Sequence, residues 1–280
     1  MREVEVRCAT PADGGAVVDF FRRNYRRGHP FQSMEYWEWH CDPEGERESY
    51  LALADGRVVG HLASNLGGGL VWVLQLLLEE SYRGAGVVRR LYALARMRGS
   101  LATTNANAIA HRMYRKMGWI RTCDLQRYVV TRAGVEAASA VAPVVVDAKR
   151  FTPPRGHYWR QPEIIGAAME GGNVVLQPEV GGARIVDLRD AQALTGALWS
   201  AGFRWADYVT SWNDPLCTLL EESGWELNEA SAVPWRLDPV VPDSVARISV
   251  LSEDHLPREL VIRRTYCDHG RVGSLRSGGG

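Results

Sequence analysis

"LLLEESYRGAGVVRRLYALARMRG" occupies residues 76–99 of a 280-residue chain, where one element ends and another begins. The leucines close a nearly uninterrupted apolar run, "LVWVLQLLL" at residues 70–78, the pattern of a strand buried on both faces. Glu79-Glu80-Ser81-Tyr82 breaks it, and Arg83-Gly84-Ala85-Gly86-Val87 follows. From about Gly84 to Met97, Val87, Leu91, Leu94 and Ala95 recur on one helical face. A helix entered through glycines presents several backbone N–H groups that have no partner within the helix. With the positive end of the helix dipole, they make a site for an anion, best a phosphate. A side chain in the turn would hold a phosphate off the backbone, hence the glycines. Two common phosphate loops do not fit: no Gly-x-x-x-x-Gly-Lys-Ser/Thr is present, and Gly-x-Gly-x-x-Gly lacks its third glycine here.

Outward from that junction the pattern is mixed. "VEVRCAT" (4–10) alternates like a strand and "PADGGAVVDFFRRNY" (11–25) reads as a turn and a helix. "SYLALADGRVVGHLASN" (49–65) is a hairpin turning on Asp55-Gly56. Beyond the glycine turn come a short strand "LATTN" (101–105) and a helix "ANAIAHRMYRKM" (106–117) stopped by Gly118. "WIRTCDLQRYVVT" (119–131) reads as one more strand-like run. Residues 103–119, "TTNANAIAHRMYRKMGW", align without gaps on residues 209–225, "VTSWNDPLCTLLEESGW". "ARIVDLRDAQALTGALWSAGF" (183–203) supplies a strand and a helix before the second copy, so one unit occurs twice. The expected division is a first domain at 1–132, a linker at 133–150, a second, degenerate copy at 151–240 and a C-terminal extension at 241–280 with a flexible tail.

Composition excludes several classes. Lys plus Arg equals Asp plus Glu at 33 each, so no electrostatic case exists for nucleic acid or an anionic membrane. The N-terminus lacks the apolar core of a signal peptide, and no apolar run approaches the ~20 residues of a membrane span. Five scattered cysteines without a CxxC pair suggest reduced thiols and a cytoplasmic location. Cys267, Asp268 and His269 are adjacent, but with no second cluster a metal site is not expected.

Arg83-Gly84-Ala85-Gly86-Val87-Val88, followed by Asn107, Ala110, Tyr114, Gly118 and Trp119, resembles the two signatures of the GNAT superfamily of acyl-CoA-dependent N-acyltransferases. Val88 departs from the family's Gly or Ala. The resemblance covers residues 3–132 well and 151–237 faintly. It implies an α/β fold, a mixed and mostly antiparallel GNAT-type sheet flanked by helices, in two tandem halves. It implies acetyl-CoA or another acyl-CoA as co-substrate. Backbone amides of Arg83, Gly84, Ala85, Gly86, Val87 and Val88 would hold the pyrophosphate, with Arg89 and Arg90 near the 3'-phosphate. Leu76 and Leu78 would pair with pantetheine like a strand, and Asn107 would touch its arm. Tyr114 would stand near the thioester sulfur, where a phenol can protonate the departing thiolate.

The base that must deprotonate the amine is less legible. Many GNAT enzymes carry a glutamate within the long central strand, and "LVWVLQLLL" has no acid. Glu79 and Glu80 read as solvated turn residues. His40, Glu38 and His61 are the candidates, and a water chain is the alternative; Asp42 lies in the same aromatic-rich stretch as His40. Trp37 and Trp39 read either as core or as a stacking surface for a sugar or base. The second copy has "DLRDAQALTG" where the glycine turn belongs and Leu220 in place of Tyr114, so catalysis is expected in the first. The expected activity is direct acyl transfer, acetyl first, to a primary amine of a small molecule. Nucleotide-linked amino sugars are the leading acceptor class, and a homodimer is compatible. The rivals are an inactive CoA-binding or structural relative and an acyltransferase acting on a protein amine.

Overall fold

The computed structural model describes residues 3–25, 29–42, 46–84, 86–105, 108–132, 165–169, 172–179, 182–200, 202–227 and 248–262. In chain order, β1 (Glu5–Cys8) leads through a 3-10 turn to α1 (Gly14–Asn24) and α2 (Met34–His40). Then come β2 (Arg47–Ala54), β3 (Arg57–Gly67), β4 (Leu70–Leu78), α3 (Val87–Arg96), β5 (Leu101–Asn105), α4 (Ala108–Lys116), β6 (Ile120–Asp124) and β7 (Gln126–Thr131). The second half comprises β8 (Ile165–Met169), β9 (Gly172–Glu179), β10 (Gly182–Asp187), α5 (Ala191–Ser200), β11 (Trp205–Thr210), α6 (Leu216–Glu222), β12 (Glu226–Leu227) and β13 (Ser249–Ser252).

The β2–β3 hairpin turns as its dipeptide requires, with φ of 51° at Asp55 and 75° at Gly56. Strand alternation then builds three layers. Leu51, Leu53, Val58 and Ala63 face α1 and α2, packing with Phe20, Phe21, Phe31 and Trp37. Tyr50, Ala52, Val59 and Leu62 face the other way, toward Leu91, Tyr92 and Ala95 of α3 and Tyr114 of α4. Trp37 and Trp39 are core residues, at 0% and 7% exposure, which settles the choice against a stacking surface.

The first sheet has the order β1-β2-β3-β4-β5-β13-β6, the second β12-β7-β11-β10-β9-β8. Within each, one neighbouring pair is parallel, β4 with β5 and β10 with β11, and the other described pairs are antiparallel. The sheets are not contiguous segments of chain. β7 leaves the first half to pair with β11 and β12, while β13 lies between β5 and β6. The run 119–131, read as one strand, is therefore two strands in different sheets, parted at Leu125. Leu125 packs with Trp72, Ala102, Val209, Val250 and Ile262 in a core shared by both halves. The expected linker at 133–150 and the tail lie outside the described residues.

Candidate active site

The site begins with a defect in a ladder. β4 and β5 pair only at Val71↔Leu101, Trp72↔Ala102 and Val73↔Thr103. Immediately afterwards the β3–β4 register shifts, Ala63 facing Gln75 and Ser64 facing Val73, which leaves Leu74 as a bulge. An extra residue inverts the phase of a strand and bends it. Below the bulge, the Val71 N–H points to the β5 side and donates to Ser100 C=O at 3.0 Å. Above it, the Glu79 N–H points to β3 and donates to Val59 C=O at 2.9 Å. Because 71 and 79 are both odd, the bulge has exchanged the two edges. Leu76 and Leu78 therefore direct their backbone groups toward the side where β5 has diverged. Leu78 packs its side chain on the α3 core, while Leu77 packs on the α1–α2 core. Past Val73 no β4–β5 pairing is present among the described residues, so the main-chain groups of Leu76 and Leu78 face an edge without a paired strand.

At the open end of β4 the chain turns into α3. Gly84 and Gly86 have φ of 81° and 76°, and a Cβ built on either would meet nothing within 4 Å. Backbone conformation, not crowding, demands glycine: a left-handed L-residue costs roughly 1–2 kcal/mol. Ala85 lies outside the described residues. Gly86 is the N-cap, its C=O accepts from Arg90 N–H at 3.3 Å, and the first turn carries no acidic residue. The amides of Val87, Val88 and Arg89 thus stand at the positive end of the helix without intrahelical acceptors. Val88, the departure from the family pattern, packs partly into the α3 core. Arg83 sends its Nε to Leu78 C=O at 3.4 Å.

Arg89 and Arg90 part company. Arg90 donates to Val4 C=O at 2.5 Å and ties α3 to the first strand. Arg89 lines a cleft of ≈ 440 Å³ with Arg112, Met113, Lys116 and Met117, three cations over a thioether floor between α3 and α4. These features fit an acyl-CoA: a glycine turn open to a phosphate, a basic cleft beside it and a strand edge for the amide arm.

Tyr114 lies in the core beneath α3, with Tyr92, Leu101 and Trp119. It is 5% exposed, its ring centroid lies 4.6 Å from that of Trp119, and its hydroxyl accepts from Tyr92 Oη at 3.0 Å. Nearby, Thr103 Oγ1 donates to Val73 C=O at 2.9 Å in the last parallel pair. Burial pushes the Tyr114 phenol above its ordinary pKa, against the bond from Tyr92. A phenol so held is protonated at neutral pH and can act only as a proton donor. Asn107 lies outside the described residues.

Of the base candidates, His61 lies on β3 opposite Leu77 of β4, and His40 and Glu38 lie on α2. His61 is wholly buried, 2.9 Å from Ser49 Oγ and ringed by Phe21, Phe31 and Trp37. His40 is wholly buried, with Nε2 3.2 Å from Glu48 C=O. Both bonds lead to β2, two strands from β4. Glu38 is exposed on α2. Glu79 is not the solvated turn residue expected: its side chain is 13% exposed and ion-paired with Arg57, which holds its carboxyl below the usual range.

Sequence reasoning missed one polar pair. Gln75, on β4 directly after the bulge, has Oε1 3.3 Å from His29 Nε2. The Phe31 N–H donates to His29 Nδ1 at 3.3 Å, so the ring proton resides on Nε2 and points at Gln75. The available signal was Gln75 as the one polar residue of "LVWVLQLLL". Among the cysteines, burial pushes Cys41 up to about 12 and Cys123 to about 11, so neither offers a thiolate nucleophile at neutral pH.

Residues 15–119 match the family described as Acetyltransferase (GNAT) family. No curated protein sequence matches the chain. Among solved structures, a protein of Pyrococcus horikoshii assigned to the acetyltransferases superposes with a TM-score of 0.53 at 15% identity, covering 92% of each chain. A GCN5-related N-acetyltransferase from Kribbella flavida gives 0.50 at 16% identity, over 78% of this chain and 68% of its own. At these identities the likeness is one of fold.

Proposed function

We propose, from the match of residues 15–119 to the acetyltransferase (GNAT) family, that the chain transfers an acetyl group from acetyl-CoA to a primary amine of a small molecule. The observation that carries this is the bulge at Leu74, which opens β4 from β5 between the glycine turn and Tyr114. Amides of Gly84 to Arg89 would receive the pyrophosphate, with Arg89, Arg112 and Lys116 at the nucleotide end. Leu76 and Leu78 would pair with the pantetheine amides, exchanging their long contacts from Gln75 Nε2 and Arg83 Nε, each 3.4 Å.

The transfer is direct. The amine lone pair forms the C–N bond, the C–S bond breaks, and Tyr114 gives its proton to the thiolate. With Cys41 and Cys123 held as thiols, no covalent enzyme intermediate is invoked; holding amine and thioester together supplies the acceleration. The amine's proton leaves through water, since His40 and His61 bond toward β2. Gln75 and His29 form the polar wall on the face opposite α3, where the amine approaches.

Gln75 in place of a strand acid favours one rival, a CoA-binding protein without turnover. Release of free CoA thiol from acetyl-CoA, measured across an amine panel headed by nucleotide-linked amino sugars and including peptide N-termini, separates the readings. Thiol release with one amine class supports transfer and names the acceptor. Binding without release supports the rival, and absence of CoA binding overturns both.

A further inference from the structure

The second half repeats the frame of the first. Both sheets share one strand order, β2-β3-β4-β5-β13-β6 in the first and β8-β9-β10-β11-β7-β12 in the second, with a register shift beyond the parallel pair in each. Gly118 and Gly224 follow α4 and α6 with φ of 85° and 79°, each before a buried tryptophan. At the start of α5, however, Asp190 Oδ1 accepts from Ala193 N–H at 3.0 Å, a carboxylate where the first half leaves its amides open. What the second half does is told by where it touches the first. Val71, Val73, Leu76 and Leu78 of β4 face α3. The face opposite carries Trp72, Leu74, Gln75 and Leu77, the bulge putting the consecutive Leu74 and Gln75 on one side. That face has two covers. α1 and α2 pack over Leu77, and His29 between them reaches Gln75 at 3.3 Å. Trp72, with Ala102 of β5 and Val250 of β13, packs instead against Val209 of β11 and against Leu256 and Ile262. Leu74 packs against both covers. Residues 256–262 are held from the turn after β11: Asn213 Nδ2 donates to the C=O of Arg258 at 2.7 Å and of Leu260 at 3.0 Å, and Ile262 N–H donates to Ser211 Oγ at 2.9 Å. The covers therefore meet over Leu74 and Gln75, both half-buried, directly past the last β4–β5 pair.

We infer that the acceptor amine enters through this seam, between the layer of His29 and the segment 256–262, so that the second half selects the acceptor and holds none of the chemistry. This rests on reading the first half as the acyl-CoA site. A CoA that takes its phosphates to the turn before α3 arrives from one end of β4, and the amine needs a separate way to the same carbon. The seam is an opening in the cover of the opposite face, at the residues where β5 stops pairing. Its lining sets the class of acceptor. Gln75 offers an amide whose Oε1 is engaged by His29, while Leu74 and the half-buried Leu260, which packs on the shared core, offer hydrocarbon. Such a seam suits an amine on a compact molecule. A polypeptide laid across the sheet would have to displace residues 256–262.

Thiol reagents of graded size test the seam in the full chain. In Gln75→Cys, methyl methanethiosulfonate should label residue 75, read by peptide mass spectrometry. A maleimide on a long polyethylene glycol chain should label it about tenfold or more slowly than the exposed Cys8 of the same chain, since access governs the rate. Adding Asn213→Ala, which frees the segment, should raise the large reagent's rate at residue 75 about tenfold, the scale of two hydrogen bonds lost from a local opening. If that variant does not fold, Leu260→Ala, which shortens the wall itself, gives the same reading. No labelling by the small reagent, equal access for both reagents, or a large-reagent rate indifferent to the variant overturns the inference. With Gln75 intact and the panel amine that releases most thiol, Asn213→Ala should raise the KM of the amine severalfold and leave that of acetyl-CoA unchanged. A rise in both, or in neither, overturns a role in acceptor selection. Absence of CoA binding by the wild type in calorimetry sinks the acyl-CoA reading, and the seam then has no acceptor to admit, whatever the reagents report.

Discussion

α3 and α5 have ten residues each and follow the same strand of equivalent sheets, but they begin differently. α3 opens on a left-handed Gly86 with no side chain to offer its amides. α5 opens on Asp190, which caps them itself. Farther on, Tyr114 of the first half is Leu220 of the second, both buried, so a hydroxyl in one core is matched by hydrocarbon in the other. What persists between the halves is what packing requires: strand order, bulge, left-handed glycine and buried tryptophan. What differs is a handful of side chains at helix ends, whose loss costs the core nothing. A fold can thus keep its frame while the residues that open its helices differ.

The comparison can be broken most severely at the exchanged strand. A chain ending before residue 248 lacks β13, so β5 and β6 each lose a partner. Thermal unfolding and CoA binding of the truncated chain should both show loss of the native first half, although every residue of the proposed site is still present. Next in size, Tyr114→Phe should lower turnover by about 10²- to 10⁴-fold, the range of a positioned proton donor. CoA affinity measured by calorimetry should stay within about threefold, because a ring of the same size keeps its packing on Trp119. Undiminished turnover would remove Tyr114 from the chemistry. Gly86→Asp gives α3 the beginning of α5. Its carboxylate and the strain of a left-handed aspartate should weaken CoA binding by about 10²-fold or more, at roughly 1–2 kcal/mol of stability.

Smaller effects sharpen the picture. Arg89→Ala should raise the acetyl-CoA KM several-fold and more at low salt than at high, since an exposed cation is screened. Arg90→Ala, which breaks only the tie to Val4, should leave that KM unchanged. The smallest effect is a pH dependence. Arg7 holds the Asp13 carboxyl well below the usual range, chiefly through its hydrogen bonds, and Arg57 does the same for Glu79. A depressed carboxylate contributes stability above its unfolded pKa, about 3.9 for Asp and 4.3 for Glu, that is lost as pH falls through the folded value. Asp13→Asn should therefore flatten the acid limb of the stability curve below about pH 4 by no more than ~1 kcal/mol, the scale of a surface pair.

Much of the site was legible because it is local. Gly84 and Gly86 announce a backbone that other residues resist, Asp55-Gly56 a tight hairpin, and Gly118-Trp119 a helix end. Asn107 and Ala85 were named from the same motifs and lie outside the described residues. Less legible was anything that depends on a neighbour remote in sequence. His61 and His40 look like candidate bases in isolation, and only the packed structure shows both bonded toward β2. Gln75 is conspicuous in its strand, but its partner His29 is 46 residues away.

By itself the sequence determined where the chain must turn, which segments bury an apolar face, and that one strand–helix unit recurs without the glycine turn. Those follow from φ, from periodicity and from side-chain type, all read within one or two helical turns. Tertiary structure decided which strand lies beside which. "WIRTCDLQRYVVT" satisfies strand propensity throughout, and nothing within it says that Leu125 parts two sheets. β7 and β13 could each have closed its own half. Their exchange follows from the edges and shared core of the whole assembly, because main-chain hydrogen bonds are the same for every strand and carry no address.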